Sequence, residues 1–476
     1  MKLYHTYRCL IPAVLLVFLA SACKKHDSPS QPQQGNINDS IYFVFKDIYL
    51  WNDAIPDSAT FKPESYGSVN AMYEALLQYK KYSTGRPIDK YSFLDDGTTS
   101  RTLQGAVAGN VGFEVGFQTN TSIYVVYVYP GSPADKAGIR RGWQVTNING
   151  VSSFSYRDPA TNNLLNQTLG GTNNSSNFTF RKPDGNTQNN VLQPSTYSLN
   201  PVLYSHVYDF NGTKVGYFVF NSFVALRDIK AEIDSIFDAF TAAGVTRLVV
   251  DLRYNGGGLL ETAEYLANKM VPASKTNTVM YTQSFNSNIL NKTYSRYFAN
   301  MKAVPYYPNV NWSEIFYEEA TTYSTVKFAK TGSMALTNLS FLVTRNTVSA
   351  SELLYNVLRP SLSPRLVGDS TYGKPVGFIN ITFGNYDMYA VSFQTFNASG
   401  EGNYFDGFKP DVAVLDDYSK DWGDLGDPLL RGALTDMGIP TSLLGRAATT
   451  ESNRLGRMST NLKGNSFKGM IQTIRH

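Results

Sequence analysis

The sequence predicts a multidomain α+β / α/β protein, and three observations carry that expectation. From about residue 201 apolar strand-like runs alternate with helix-period segments, the pattern of a largely parallel sheet with crossover helices. Residues 106–200 are rich in β-branched and aromatic residues and in turn signals, which predicts a compact β module. Residues 38–105 carry helix-period apolar residues and predict a small helical N-terminal domain. The 476 residues exceed what one compact domain usually holds.

The elements follow in order. The run SIYFVFKDIYLW at 40–51 reads as a helix leading into Pro56, and residues 68–79 as a second, with Met72, Leu76 and Leu77 on one face. In the β module, residues 121–129 form a strand closed by the turn PGSP at 130–133, a short helix ends at Gly138, and residues 144–149 form another strand. Residues 214–220 then form a strand, and Ile229, Ile233, Ile236, Phe237 and Phe240 share a helical face ended by Gly244. The run RLVVDL at 247–252 reads as a strand buried on both faces. It enters NGGG at 255–258 and a helix at 260–270. Residues 339–344 repeat the arrangement, feeding Ser349 and a helix at 352–358, and residues 365–368 form a third strand whose loop carries Lys374. Three strand ends thus meet on one edge, where such sheets place their sites.

The boundaries are a leader at 1–22, a Ser/Pro/Gln/Gly-rich tether at 23–37, the helical domain at 38–105, the β module at 106–200, an α/β core at 201–445 and a tail at 446–476. The tail sets six Lys and Arg against Glu451, is aperiodic, and is expected to be mobile. In the leader, Lys2, His5 and Arg8 precede an apolar run at 10–19 that is too short to span a bilayer comfortably. Small residues and then Cys23 follow it, which resembles a lipobox; this implies lipidation of Cys23, the alternative being a plain secretory signal. Lys24 stands where an inner-membrane retention signal has aspartate, which favours an outer-membrane location.

Composition narrows the chemistry. The net charge of +4 gives no reason to expect a nucleic-acid partner. The two cysteines, Cys9 and Cys23, both lie near the N-terminus, so the remainder holds no thiolate metal site or disulfide framework. The four histidines are scattered, and a histidine-based metal site or Ser–His–Asp triad is hard to build; no metal and no cofactor is expected.

Three segments carry candidate chemistry: DLRYNGGG at 251–258, SASE at 349–352 and TYGK at 371–374. A serine hydroxyl needs a base, and without a placed histidine Lys374 is the candidate. It must be neutral to serve, which means a fall from about 10.4 to about 7–8, roughly 4 kcal/mol of differential stabilisation. Burial in a dry pocket supplies that shift. Gly257 and Gly258 permit a backbone turn that aims amides into a cleft, and Ala350 at a helix start offers another. Each element also has a plainer reading. SASE is a capping box with Ser349 as N-cap and Glu352 closing it, NGGG is a turn, and a loop lysine is usually solvated.

These residues together resemble the carboxyl-terminal processing, or tail-specific, serine peptidases of family S41, over about residues 40–440. The resemblance implies a crotonase-like α/β core with Ser349 as nucleophile, Lys374 twenty-five positions on as general base, and an oxyanion hole from Gly257 or Gly258 with Ala350. Glu352 and Thr371 match supporting positions. Residues 106–200 similarly resemble a PDZ domain, with Val111, Gly112, Phe113, Glu114 and Val115 as the loop that takes a substrate's terminal carboxylate on free N–H groups. Protein or peptide substrates held by their C-termini are then the expected partners, beside a membrane reached through the lipid anchor. The chain departs from the family in two places. Phe378 stands where many relatives have a glutamine that completes a triad, and Trp143 where an aspartate is common in the PDZ turn. The first points to a dyad. An ionised Glu352 beside Lys374 would raise the lysine pKa, so Glu352 is expected to face backbone amides instead. A peptide-binding lipoprotein with little hydrolytic activity, and hydrolysis of a non-peptide ester or amide, are the competing readings.

Overall fold

A computed structural model describes residues 37–170, 173–304, 307–445, 458–459 and 469–475. The expected leader, Cys23 and the tether up to residue 36 lie outside them. Helices α1 (Ile37–Ile48) and α2 (Val69–Leu76) open the described chain, the second capped by Ser68, whose hydroxyl accepts from the Ala71 amide at 3.2 Å. They do not make a core of their own. Ile41, Phe45, Met72 and Leu76 join one apolar cluster with Phe218, Phe341, Phe378 and Phe393. Strand Phe93–Asp95 moreover pairs with Tyr386–Tyr389. The helical N-terminal domain expected at 38–105 thus packs its apolar faces into the main core.

The β module contains β1 (Phe113–Phe117), β2 (Ile123–Val128), β3 (Gln144–Ile148), β4 (Ser176–Arg181) and β5 (Thr187–Leu192), neighbours in chain order and antiparallel. It has its own core, which includes Val111, Phe113, Ile123, Ile148 and Phe178.

The main core begins with β6 (Val202–Phe210), β7 (Thr213–Phe220), α3 (Leu226–Ala242) and β8 (Arg247–Asp251). Then come β9 (Gly257–Leu259), α4 (Leu260–Met270), β10 (Val279–Phe285) and β11 (Thr325–Lys327). It continues through β12 (Asn338–Val343), α5 (Ala350–Leu362), β13 (Arg365–Gly368), β14 (Val376–Phe378), β15 (Val391–Asn397) and β16 (Val412–Ala413). One sheet has the order β16-β13-β12-β8-β7-β6, parallel throughout except for β6 on β7. The ends of β8, β12 and β13 deliver the three candidate segments to one edge, as the alternation predicts.

The tail brings the main correction. Residues Met458–Ser459 (β17) pair antiparallel with β1, and Gly469–Ile471 (β18) lie between β9 and β14 in a second sheet ordered β9-β18-β14-β15-β10-β11. Met470 and Ile471 are fully buried. The expectation of a mobile tail thus fails for residues 469–475. Three apolar-to-neutral residues in a basic, polar stretch leave no periodic signal, yet they satisfy two strand edges at once.

A clasp of buried charge holds the modules together. Arg253 meets Asp251 at 2.7 Å and Asp416 and Asp427 at 2.8 Å, and Arg141 of the β module reaches the same Asp416 at 3.3 Å. Arg141 also donates to the Val126 carbonyl and the Tyr254 hydroxyl, while its guanidinium lies over the Trp422 ring. The motif arginine is therefore structural.

Candidate active site

Ser349 stands between β12 and α5 with φ of 60°. Such a backbone is sparsely populated for a residue with a side chain. Glu352 makes its half of the expected capping box, accepting the Ser349 amide at 2.8 Å. Ser349 Oγ is buried and makes no hydrogen bond among the described residues, so no Ser349–Lys374 hydrogen bond is formed in this conformation. Catalytic hydrogen bonds are often long before substrate arrives.

Glu352 is fully buried and faces backbone donors, as expected. Besides Ser349 it accepts from the Gly373 amide at 2.7 Å, the Lys374 amide at 2.9 Å and the Thr371 hydroxyl. Burial pushes its carboxyl up from the usual range and these four donors pull it back. One carboxylate thus pins both the serine's helix and the lysine's loop. Glu352→Gln places an amide NH₂ among donors and leaves at least one of them unpaired. It is expected to lower kcat about 10-fold or more with a smaller effect on KM, read from steady-state kinetics.

Lys374 is fully buried, and burial lowers its pKa well below the ordinary lysine value, against opposing pulls from Asp89 and Glu352. Its Nζ lies 3.6 Å from the centroid of the Phe378 ring and 5.5 Å from that of Tyr91. Phe378 therefore closes the amine's pocket with an apolar ring where relatives are expected to place a hydrogen-bonding amide. Tyr91 and Asp89 are site neighbours that sequence reasoning missed. Tyr91 Oη donates to the Gly373 carbonyl at 2.6 Å, and Asp89 accepts from the Tyr91 and Ser92 amides at 2.9 Å. No short motif marks them, since they reach the lysine only through the tertiary fold.

The two glycines separate in role. The Gly257 amide already donates to Asn255 Oδ1 at 2.9 Å, which leaves Gly258 as the candidate oxyanion donor. The Ala350 amide, in the first turn of α5, has no intrahelical acceptor and is the second. Gly257 and Gly258 have φ of 103° and 141°, and a Cβ on Gly258 would sit 2.2 Å from the Phe223 carbonyl oxygen. No residue with a side chain fits there.

The expected carboxylate loop is only partly as anticipated. Val111 and Phe113 are core residues of the β module, and the Gly112 amide is already bonded to Asn110 Oδ1 at 2.9 Å. Short-range satisfaction by asparagine removes the free donor. Glu114 and Val115, with Gly116, instead line a cleft of about 1220 Å³ that also reaches Gly256, Gly257 and Tyr372. The edge of β1 and the glycine turn thus face a shared space.

A serine at a helix start, a buried lysine and a glycine turn thus meet at one edge of an α/β core, the parts that a serine-type hydrolase needs. Family models agree: residues 214–414 match peptidase family S41 and residues 36–93 match the peptidase S41 N-terminal domain. The site and the N-terminal helices thus lie in segments that match peptidase family S41. The chain is 29% identical to the carboxyl-terminal-processing protease of Picosynechococcus over 66% of this chain and 64% of that protein. It is 25% identical to a CtpA-like serine protease of Staphylococcus aureus over 68% of this chain and 57% of that one. It therefore spans about three fifths of the length of these curated relatives. Among solved structures, an S41 protease from Bacteroides fragilis superposes with a TM-score of 0.59 at 22% identity, over 84% of this chain and 96% of that one, which establishes the shared fold.

Proposed function

We propose that the chain is a serine endopeptidase that works through Ser349 and Lys374 and takes substrates by their C-terminal segments. The observation that carries the reading is the fully buried Lys374, its pKa lowered by that burial, in a loop that shares the Glu352 carboxylate with Ser349. In the proposed cycle, Ser349 Oγ adds to the substrate carbonyl as neutral Lys374 takes its proton. The oxyanion meets the Gly258 and Ala350 amides. Lys374 then hands the proton to the leaving amine, and water releases the acyl group by the same path in reverse. The site is a dyad, with Phe378 excluding water from the lysine rather than bonding to it.

Substrate capture is assigned to the edge of β1, where an extended peptide adds as a strand in the manner of a PDZ domain, with Glu114 and Val115 beside the shared cleft. Anchoring through a lipid on Cys23, at the outer membrane, completes the reading; its support is the apolar leader and the small residues before Cys23. No helix among the described residues is long and apolar enough to cross a membrane. The decisive experiment incubates the chain lacking residues 1–22 with casein and with peptides that have apolar C-termini. Ser349→Ala is expected to lower cleavage about 10⁴-fold or more. Absence of cleavage both by the unmutated chain and by the same chain ending at residue 445 would favour the peptide-binding alternative.

A further inference from the structure

The last described strand lies where a substrate would have to lie. Gly469 N–H donates to the Gly256 carbonyl at 3.0 Å, and the parallel register sets Gly469 beside Gly257 and Met470 beside Gly258. In such a ladder the Gly469 carbonyl is turned toward the amide of Gly258, the candidate oxyanion donor. A Cβ built on Gly257 would sit 2.1 Å from the Gly469 carbonyl oxygen and 3.2 Å from the Ala350 amide nitrogen. The tail's carbonyl and the second oxyanion donor therefore converge on the space in front of Gly257. On its other side the strand pairs with the segment that follows the lysine: Ile471 lies beside Phe378, and the Gln472 amide donates to the Phe378 carbonyl at 2.9 Å. The tail thus runs between the glycine turn and the lysine strand, and the Ser349 hydroxyl is wholly buried.

A second contact points the same way. Backbone of Met458–Ser459 pairs antiparallel with Phe117 and Gly116, on the edge of β1 assigned above to incoming peptide. One tail therefore occupies both the capture edge and the catalytic groove. It is well anchored beyond the groove: Gln472 meets Gln283 at 3.0 Å, and Arg475 donates to Glu264 at 2.6 Å and to the Tyr323 carbonyl at 3.0 Å.

We infer that the chain's own C-terminal segment is a tethered inhibitor, bound in the extended form of a substrate, and that the enzyme works only when this strand leaves the groove. The inference rests on the peptidase reading above. It also defines the class of peptide that would replace the tail: an extended segment with no side chain opposite Gly257 and apolar residues at the next two positions, as in Gly469-Met470-Ile471.

The test compares three forms lacking residues 1–22: the otherwise intact chain, the same chain ending at residue 445, and full-length Met470→Ala, which loosens the strand without removing it. Hydrolysis of a fluorogenic peptide, labelling of Ser349 by a fluorophosphonate and the Tm are measured for each. If the groove is open in about one molecule in ten, the truncated chain labels and hydrolyses about 10-fold faster than the intact one, and Met470→Ala falls between. A synthetic peptide of residues 466–476 then raises KM of the truncated chain and leaves its kcat unchanged. The inference is overturned if either variant, with a Tm above the assay temperature, labels Ser349 no faster than the intact chain, since the strand then only completes the sheet. Absence of hydrolysis in all three forms, with labelling still accelerated by loss of the tail, sinks the peptidase reading and leaves the occlusion standing.

Discussion

Lys374→Ala is expected to lower kcat/KM about 10²- to 10⁴-fold, the range for loss of a positioned general base. Lys374→Arg should be equally inactive, because a guanidinium stays protonated and cannot accept the serine's proton. Lys374→Met separates catalysis from stability. A lysine whose folded pKa lies below its unfolded value binds fewer protons folded than unfolded between the two. Stability therefore rises with pH through that window, and the buried amine destabilises the fold most below it. A thioether in its place carries no such penalty, so this variant should be dead yet raise the Tm by a few degrees, about 1 kcal/mol. Activity of the unmutated enzyme should climb with pH as the lysine deprotonates, and reach its plateau well below the ordinary lysine range. Persistent activity of Lys374→Ala across neutral pH would remove the lysine from the role of base.

The second large effect concerns the clasp. Arg253→Ala strips the guanidinium from Asp251, Asp416 and Asp427, which are buried and spaced to share it. Leaving buried carboxylates without their cation costs about 3–5 kcal/mol, and urea unfolding should show it as a fall in midpoint. Arg253→Lys should recover only part, since a point charge cannot contact three carboxylates through a planar fork. Arg141 touches the same Asp416 from the β module. Arg141→Ala should therefore loosen the module against the core, and increased proteolytic nicking between the two would report it.

Much of this architecture was legible in the chain. The alternation of β8, α4, β12, α5 and β13 is long, apolar and punctuated by glycine, so periodicity placed all five within a few residues. The candidate site was read from three motifs and their resemblance to family S41; taken alone, the serine at a helix start and the glycines, which take φ of 103° and 141°, announce only a cap and a turn. Glu352 could be assigned to the amides by electrostatics alone. What escaped depends on partners distant in the chain. Nothing local announces that Tyr91 will hold the Gly373 carbonyl, or that Gly469–Ile471 will fill a gap between β9 and β14. The Gly112 amide was misjudged because a side chain two residues away, Asn110, satisfies it. Helices α1 and α2 were legible, but not the main core they pack into, since helical periodicity reports a buried face and not what covers it.

The reach of those distant contacts has a temporal meaning. The Tyr91–Gly373 bond joins residues 282 apart, and Ser92 accepts from the Val391 amide 299 residues on. Contacts of such separation form late and together, after the loops between them have closed. A nascent chain that has released Ser349 but not Lys374 has a nucleophile with no base. One that has released both still lacks Phe378, which closes the lysine's pocket, and Val391, to which residues 89–92 are tied. On the proposed reading, competence therefore waits for the chain through Val391, and the strand Gly469–Ile471 that fills the groove is made last.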